Sequence, residues 1–249
     1  MIKNHLTTQG QSLTDEHDFL LVVVGLSNLV DQPWTMSLLN DKERYRASRL
    51  VRLDDRRAYV AAHTLKRLVL AAVTRLGPHS LEFYDDAYGK PHLDGQKGVY
   101  FNLSHTHGMV AFAYSRVIDV GVDIEFLGPE IYDRAMAAMT LTPDEILSVE
   151  RAADPHRAFL LYWTAKEAAM KAEGKGMSMP MRDIHIFNDT ADTHSKHWSV
   201  WHYLPSGQHI LAFARRTMTG EEPAYSALPC LVMEEAVLWE CADAFSAPR

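Results

Sequence analysis

The sequence predicts an α+β protein in two halves, and two observations carry that expectation. Helical and strand-like stretches follow one another twice: helix at 41–76 and then short strands, helix at 142–174 and then short strands again. With 249 residues, 47% of them hydrophobic, the chain has the apolar content to bury one large core or two small ones. The predicted division is an N-terminal α+β half over 1–116 and a C-terminal α+β half over 117–249, with the join near 115–119. No repeat of residues relates the two, so the division rests on the order of elements.

The first half opens with "FLLVVVGL" (19–26), whose branched apolar residues read as a buried strand. Residues 41–76 read as helix in one or two pieces. Ala58, Ala62, Leu65, Val69 and Val73 recur there at three- and four-residue spacing, and Gly77-Pro78 ends the run. Strand-like segments follow at 81–84, 98–103, 108–115 and 119–124. In the second half "LTPDEIL" (141–147) carries a helix start: Thr142 as cap, Pro143 in the first turn and Glu145 three residues after the cap. Asp154-Pro155 starts another helix that runs towards Gly174, and strand-like stretches return at 183–188, 197–204, 208–215 and 230–234.

A formal net charge of −7 argues against a general nucleic-acid binder, although it permits local basic patches. Cys230 and Cys241 stand in no metal-ligand or disulfide pattern, which suits a reducing cytosol. The longest apolar run, Phe19 to Leu26, is far short of the ~20 residues a membrane span needs. The N-terminal stretch is polar, without the apolar segment of a signal peptide. The expected setting is cytoplasmic, with no membrane and no nucleic acid as partner.

"GVDIE" (121–125) sets two carboxylates two positions apart in a strand, so Asp123 and Glu125 share a face and Ile124 points into the core. Like charges so placed resist burial. Either they lie on a solvent face, or a hard cation such as Mg²⁺ neutralises both and completes its shell with water and substrate phosphate. "WTAKEAAMKAEGKG" (163–176) offers a third carboxylate: Glu167 and Lys171 are four apart on one helix face. That spacing also describes an ordinary surface ion pair. Trp163 and Met170 nevertheless place apolar bulk beside it, and Gly174 and Gly176 bracket Lys175 where the helix should stop.

"FNLSHTHG" (101–108) ends an apolar strand with hydroxyls and imidazoles. Ser104 and His105 are adjacent, so on a strand they face opposite sides and cannot form a nucleophile–base pair; no G-x-S-x-G turn occurs in the chain. Phosphate binding suits this end better. "YGKPHL" (88–93) adds a turn with a lysine, and 41–57 contributes Lys42 and arginines 44, 46, 49, 52, 56 and 57. A Mg²⁺ site beside a phosphate site implies chemistry at a phosphoanhydride.

With "DRRAYVAAHTLKR" (55–67), "YGKP", "FNLSHT", "GVDIE" and "WTAKEAAMKAEGKG" in this order over about 41–214, the chain resembles the 4′-phosphopantetheinyl transferases. The likeness is to their larger, two-halved form, which activates peptide and polyketide synthetases. The resemblance implies a pseudodimer of two similar α+β halves, a monomer, with coenzyme A in the cleft between them. A carrier-protein serine would attack the β-phosphate of coenzyme A, and 3′,5′-ADP would leave.

By motif, Asp123, Glu125 and Glu167 resemble the Mg²⁺ carboxylates. Lys171 would neutralise phosphate charge, and Glu167 is also the candidate general base. Ser104 and His105 resemble residues that hold the coenzyme A phosphates, with Arg57 at the 3′-phosphate. Lys90 and Pro91 match the turn that packs against the adenine. Lys42 falls near another phosphate-binding base, a place Arg46 fills equally well. The apo-carrier would meet an apolar or basic surface, for which Ala135 to Glu150 is the candidate, with "MAAMTL" (136–141) either core or contact. The alternatives are a Mg²⁺-dependent phosphohydrolase and a non-catalytic coenzyme A-binding protein.

Overall fold

A computed structural model describes residues 7–8, 11–12, 18–27, 34–129, 132–187, 190–193, 196–217 and 230–246. A short hairpin, β1 (Thr7–Thr8) with β2 (Gln11–Ser12), precedes the first half. That half contains β3 (Phe19–Gly25), α1 (Asp41–Arg49), α2 (Leu53–Thr74), a small hairpin β4 (Phe83–Asp85) and β5 (Pro91–Leu93), then β6 (Tyr100–Thr106) and β7 (Met109–Ser115). The second repeats the order with β8 (Val120–Phe126), α3 (Arg134–Thr140), α4 (Pro143–Arg151), α5 (Pro155–Glu173), β9 (His185–Phe187), β10 (Thr190–Thr193), β11 (Lys196–Ser206) and β12 (His209–Arg216). In each half the first strand pairs antiparallel with the last, β3 with β7 and β8 with β12. The fold is α+β in two similar halves.

The start and stop signals read from the sequence are in place. Thr142 and Glu145 form a reciprocal capping box on α4 with Pro143 in its first turn, Asp154 caps α5, and Gly174 closes α5 at a φ of 73°. The 41–76 helix is two pieces, broken at 50–52. Residues 134–140, which carried no helix signal strong enough to read, form α3 with Asp133 as cap. Its Ala137 and the following Leu141 are buried while Met136 and Met139 are exposed, so "MAAMTL" is core on one side and surface on the other.

The structure also supplies the repeat that residue identity hides. In each half a short helix starts with a capping box whose glutamate pairs with a buried lysine of the long helix. Asn40 and Glu43 cap α1, and Glu43 meets Lys66 at 2.7 Å; Thr142 and Glu145 cap α4, and Glu145 meets Lys166 at 2.6 Å. Glu43 also binds Arg67 at 2.9 Å.

The layers run helix, sheet, sheet, helix. The long helix α2 packs with Leu20, Val22, Val24, Phe101 and Phe112 on the outer face of the first sheet. Alanines 165, 168 and 169 of α5 pack against Trp198, Val200, Ala212 and Ala214 of the second. Between the sheets lies a shared apolar cluster: Leu21, Val23, Ala111 and Ala113 from one half, Val122, Ile124, Leu211 and Phe213 from the other.

The tail corrects the expected division. Strand β13 (Cys230–Glu234), expected in the second half, pairs parallel with β3, and the first-half sheet has the order β13-β3-β7-β6. Helix α6 (Glu235–Ser246) follows it, and its Leu238, Trp239 and Ala242 join the α2 core. The free edge of β3 accounts for this, because an uncovered buried-strand edge leaves a row of backbone groups unpaired. Sequence order alone does not reveal which edge a late strand will cover.

Candidate active site

The carboxylate strand and the helix above it meet at a glycine. A Cβ built on Gly121 would lie 2.0 Å from the Ala168 carbonyl oxygen, so only glycine lets α5 settle directly on β8. That approach lays the stretch of α5 from Trp163 to Ala172 along the Gly121, Asp123 and Glu125 face of β8. Lys171 Nζ reaches Asp123 Oδ1 at 2.6 Å and donates to Ser104 Oγ at 3.2 Å; the Ser104 hydroxyl donates to the same Asp123 oxygen at 3.0 Å. Trp163, one face of α5 further back, donates its Nε1–H to Glu125 Oε1 at 3.3 Å.

Charge is concentrated here beyond what Lys171 neutralises. Glu125 has its pKa pushed up to about 7, first by burial and then by the negative charges of Asp123 and Glu167. Burial also raises Glu167, with Asp123 adding to the rise and Lys171 opposing it. Asp123 is 4% exposed, and its Oδ2 is buried with no hydrogen-bond partner. A buried carboxylate oxygen left without a donor, beside two carboxylates that resist ionisation, is a hard-oxygen set that fits a cation such as Mg²⁺. Among the described residues, no three His, Cys, Asp or Glu side chains already converge on a common point.

A cleft of about 560 Å³ opens in the first half, lined by Lys42, Arg46, Tyr59, Phe83, Pro91 and His105 among others. Its size is that of a cofactor site. Lys66 lies on its inner wall with Nζ 4.0 Å from the centre of the Phe83 ring. His63 beside it is pushed down to about 4, chiefly by burial, and is neutral at ordinary pH. His105, on the cleft wall, has its pKa lowered by burial and then by the Lys171 charge.

The structure therefore brings Asp123 and Lys171 into contact, sets Glu125 on the same strand face and Glu167 on the same helix within electrostatic reach, and places Lys42, Pro91 and His105 on the cleft. Lys42 also pairs with Asp85 at 2.9 Å on the exposed rim. It does not bring the other three expected phosphate or adenine ligands to the cleft. Arg57 is buried and gives both Nε and a terminal nitrogen to Glu235 Oε1, at 2.9 and 2.6 Å, tying the tail helix to α2. Lys90 is buried with Nζ on Asp119 at 2.6 Å and on the Ala172 carbonyl at 3.2 Å. It pins the turn to the end of α5, while Gly89 and Pro91 on either side of it line the cleft. Ser104 faces Asp123, on the opposite side of its strand from His105. In each of the three a charged or polar group meets a partner distant in sequence. Tyr59, His63 and Lys66 are cleft residues that the sequence reading missed; their three- and four-residue spacing along α2 was the available signal.

Known proteins bear on this arrangement. Residues 119–214 match the 4′-phosphopantetheinyl transferase superfamily profile and residues 30–116 match the 4′-phosphopantetheinyl transferase N-terminal profile. The chain belongs to the 4′-phosphopantetheinyl transferase family. Relatives include the 4′-phosphopantetheinyl transferase HetI of Nostoc, 29% identical over 167 residues that cover 63% of this chain and 70% of HetI. Sfp of Bacillus subtilis is 26% identical over 151 residues, 61% of this chain and 67% of Sfp. The gsp transferase of Aneurinibacillus migulanus is 31% identical over 155 residues, covering 61% and 63%. This transferase moves the 4′-phosphopantetheine group from coenzyme A to carrier proteins. Among its described residues, no helix is long and apolar enough to cross a membrane.

Proposed function

We propose that this transferase carries out its reaction where the first-half cleft meets the β8–α5 carboxylates. Coenzyme A lies in the cleft, its phosphates towards His105, Lys42 and Arg46 and its adenine against the turn at Pro91. Asp123, Glu125 and Glu167 hold Mg²⁺, which when bound lowers the charge that repels an incoming oxygen nucleophile. The observation that carries this reading is the buried, unpartnered Oδ2 of Asp123 beside two carboxylates whose pKa values are raised.

The chain's own groups then have separable tasks. Lys171 supplies a fixed positive charge at the phosphates, held in place through Asp123 and Ser104. Glu167, with its pKa above the ordinary carboxylate value, accepts the proton of the carrier serine. The serine oxygen forms a bond to the β-phosphorus of coenzyme A, the bond to the bridging oxygen breaks, and 3′,5′-ADP departs with that electron pair. The exposed Met136, Met139 and Leu147 of α3 and α4 are the apolar contact for the carrier, an acidic helical bundle. The enzyme acts as a monomer, its two halves forming the pseudodimer. A cytoplasmic setting accords with the free thiols of Cys230 and Cys241.

The test is metal removal paired with Asp123→Ala. Chelation is expected to abolish transfer, and the variant to lose roughly a thousandfold or more in rate. A chelated enzyme with its full rate would overturn the assignment of these carboxylates.

A further inference from the structure

Strand β8 has one backbone neighbour in its sheet, β12, and its other edge lies against the first half. The donors of that edge are met by side chains. Val122 N–H donates to Asn102 Oδ1 at 3.0 Å, Ile124 N–H to Ser104 Oγ at 3.4 Å and Phe126 N–H to Thr106 Oγ1 at 3.3 Å. Every second residue of β6 thus answers every second amide of β8, and a buried amide left unanswered is costly. The alternate residues of β6, Leu103 and His105, line the cleft on the other side. One strand holds the carboxylate strand with one row of side chains and forms the cleft wall with the other.

The middle rung reaches the reacting groups. Ser104 Oγ accepts from Ile124, donates to Asp123 and receives Lys171, so the hydroxyl that sets the strand also aims its carboxylate. We propose that Asn102, Ser104 and Thr106 are positioning residues: a side-chain ladder across the two halves that fixes the register of Asp123 and Glu125 against the cleft. Ser104 then acts on the reaction through Asp123 and Lys171 rather than as a ligand of coenzyme A. This rests on the reading of Asp123 as part of the reacting centre.

Thr106 gives the cleanest test, because it neither lines the cleft nor touches Asp123. In Thr106→Val the Phe126 amide of the full chain, measured by hydrogen exchange without coenzyme A or metal, should exchange about tenfold or more faster. In turnover the same variant should lose about tenfold in kcat with KM for coenzyme A within about twofold, and Thr106→Ser should restore both. Should Thr106→Val not fold, Ser104→Ala read at the Ile124 amide gives the equivalent exchange result. Unchanged exchange at these amides would overturn the ladder. So would a raised KM with kcat intact, or a lowered Tm with wild-type kcat. Failure of the functional reading is seen separately, as wild-type enzyme that does not transfer.

Discussion

Replacing Glu125 by glutamine should stabilise the metal-free enzyme at alkaline pH while destroying its activity. Burial and the charges of Asp123 and Glu167 raise the Glu125 pKa from 4.5 to about 7. The folded state therefore keeps this proton across a range where the unfolded state has released it. Stability falls as pH rises through that window and levels off above it. At about 1.4 kcal/mol per pKa unit the loss is at most about 3.5 kcal/mol, and less where solvent reaches the half-buried carboxyl. Glutamine keeps the oxygen that accepts the Trp163 Nε1–H and has no charge to bury. Urea unfolding of both proteins with chelator, at pH 4.5 and pH 8, should show equal stability at the lower pH and an advantage of about 2–3 kcal/mol for Glu125→Gln at the higher. Saturating Mg²⁺ should shrink that advantage by stabilising the wild type. A variant no more stable than wild type at pH 8, or favoured equally at both, would refute the crowding of carboxylates on which the site rests.

Glu167→Gln should lose ~10²–10⁴-fold in rate, recover little with excess Mg²⁺ or Mn²⁺, and rise with pH as hydroxide takes the place of the base; full rescue by metal at neutral pH would make Glu167 a ligand alone. Arg57→Ala leaves Glu235 buried without its cation, and should cost about 3–5 kcal/mol in unfolding while leaving the preference for coenzyme A over its 3′-dephospho form unchanged. Loss of that preference at wild-type stability would return Arg57 to the 3′-phosphate. Gly121→Ala forces a methyl into the backbone of α5, and should destabilise by about 3 kcal/mol or more in thermal unfolding; a stable, active variant would show that α5 does not need this close approach.

What the sequence disclosed follows from how far each signal reaches. The capping box at Thr142 and Glu145, the Asp154 cap and the Gly174 stop were legible because cap and helix are neighbours in the chain. The shared face of Asp123 and Glu125 followed from strand alternation, and that of Glu167 and Lys171 from helix spacing. The partners of Arg57, Lys90 and Ser104 were not legible, because residue type shows that a group can bind phosphate, not which protein group it also meets. Those partners, Glu235, Asp119 and Asp123, lie far along the chain or on another element. The tail was misread for the same reason: β13 belongs to β3 through an edge that exists only once the first sheet has formed.

The central claim is that this chain moves the phosphopantetheine arm to a carrier serine using the β8–α5 carboxylates. The most direct measurement incubates the enzyme with coenzyme A, Mg²⁺ and a panel of apo-carrier proteins, weighs each carrier by mass spectrometry and quantifies 3′,5′-ADP. The account predicts at least one carrier gaining the phosphopantetheine mass on its serine, 3′,5′-ADP in equal amount, and neither product with Asp123→Ala. Cleavage of coenzyme A with every carrier unmodified, or an Asp123→Ala enzyme that transfers at the wild-type rate, would contradict it.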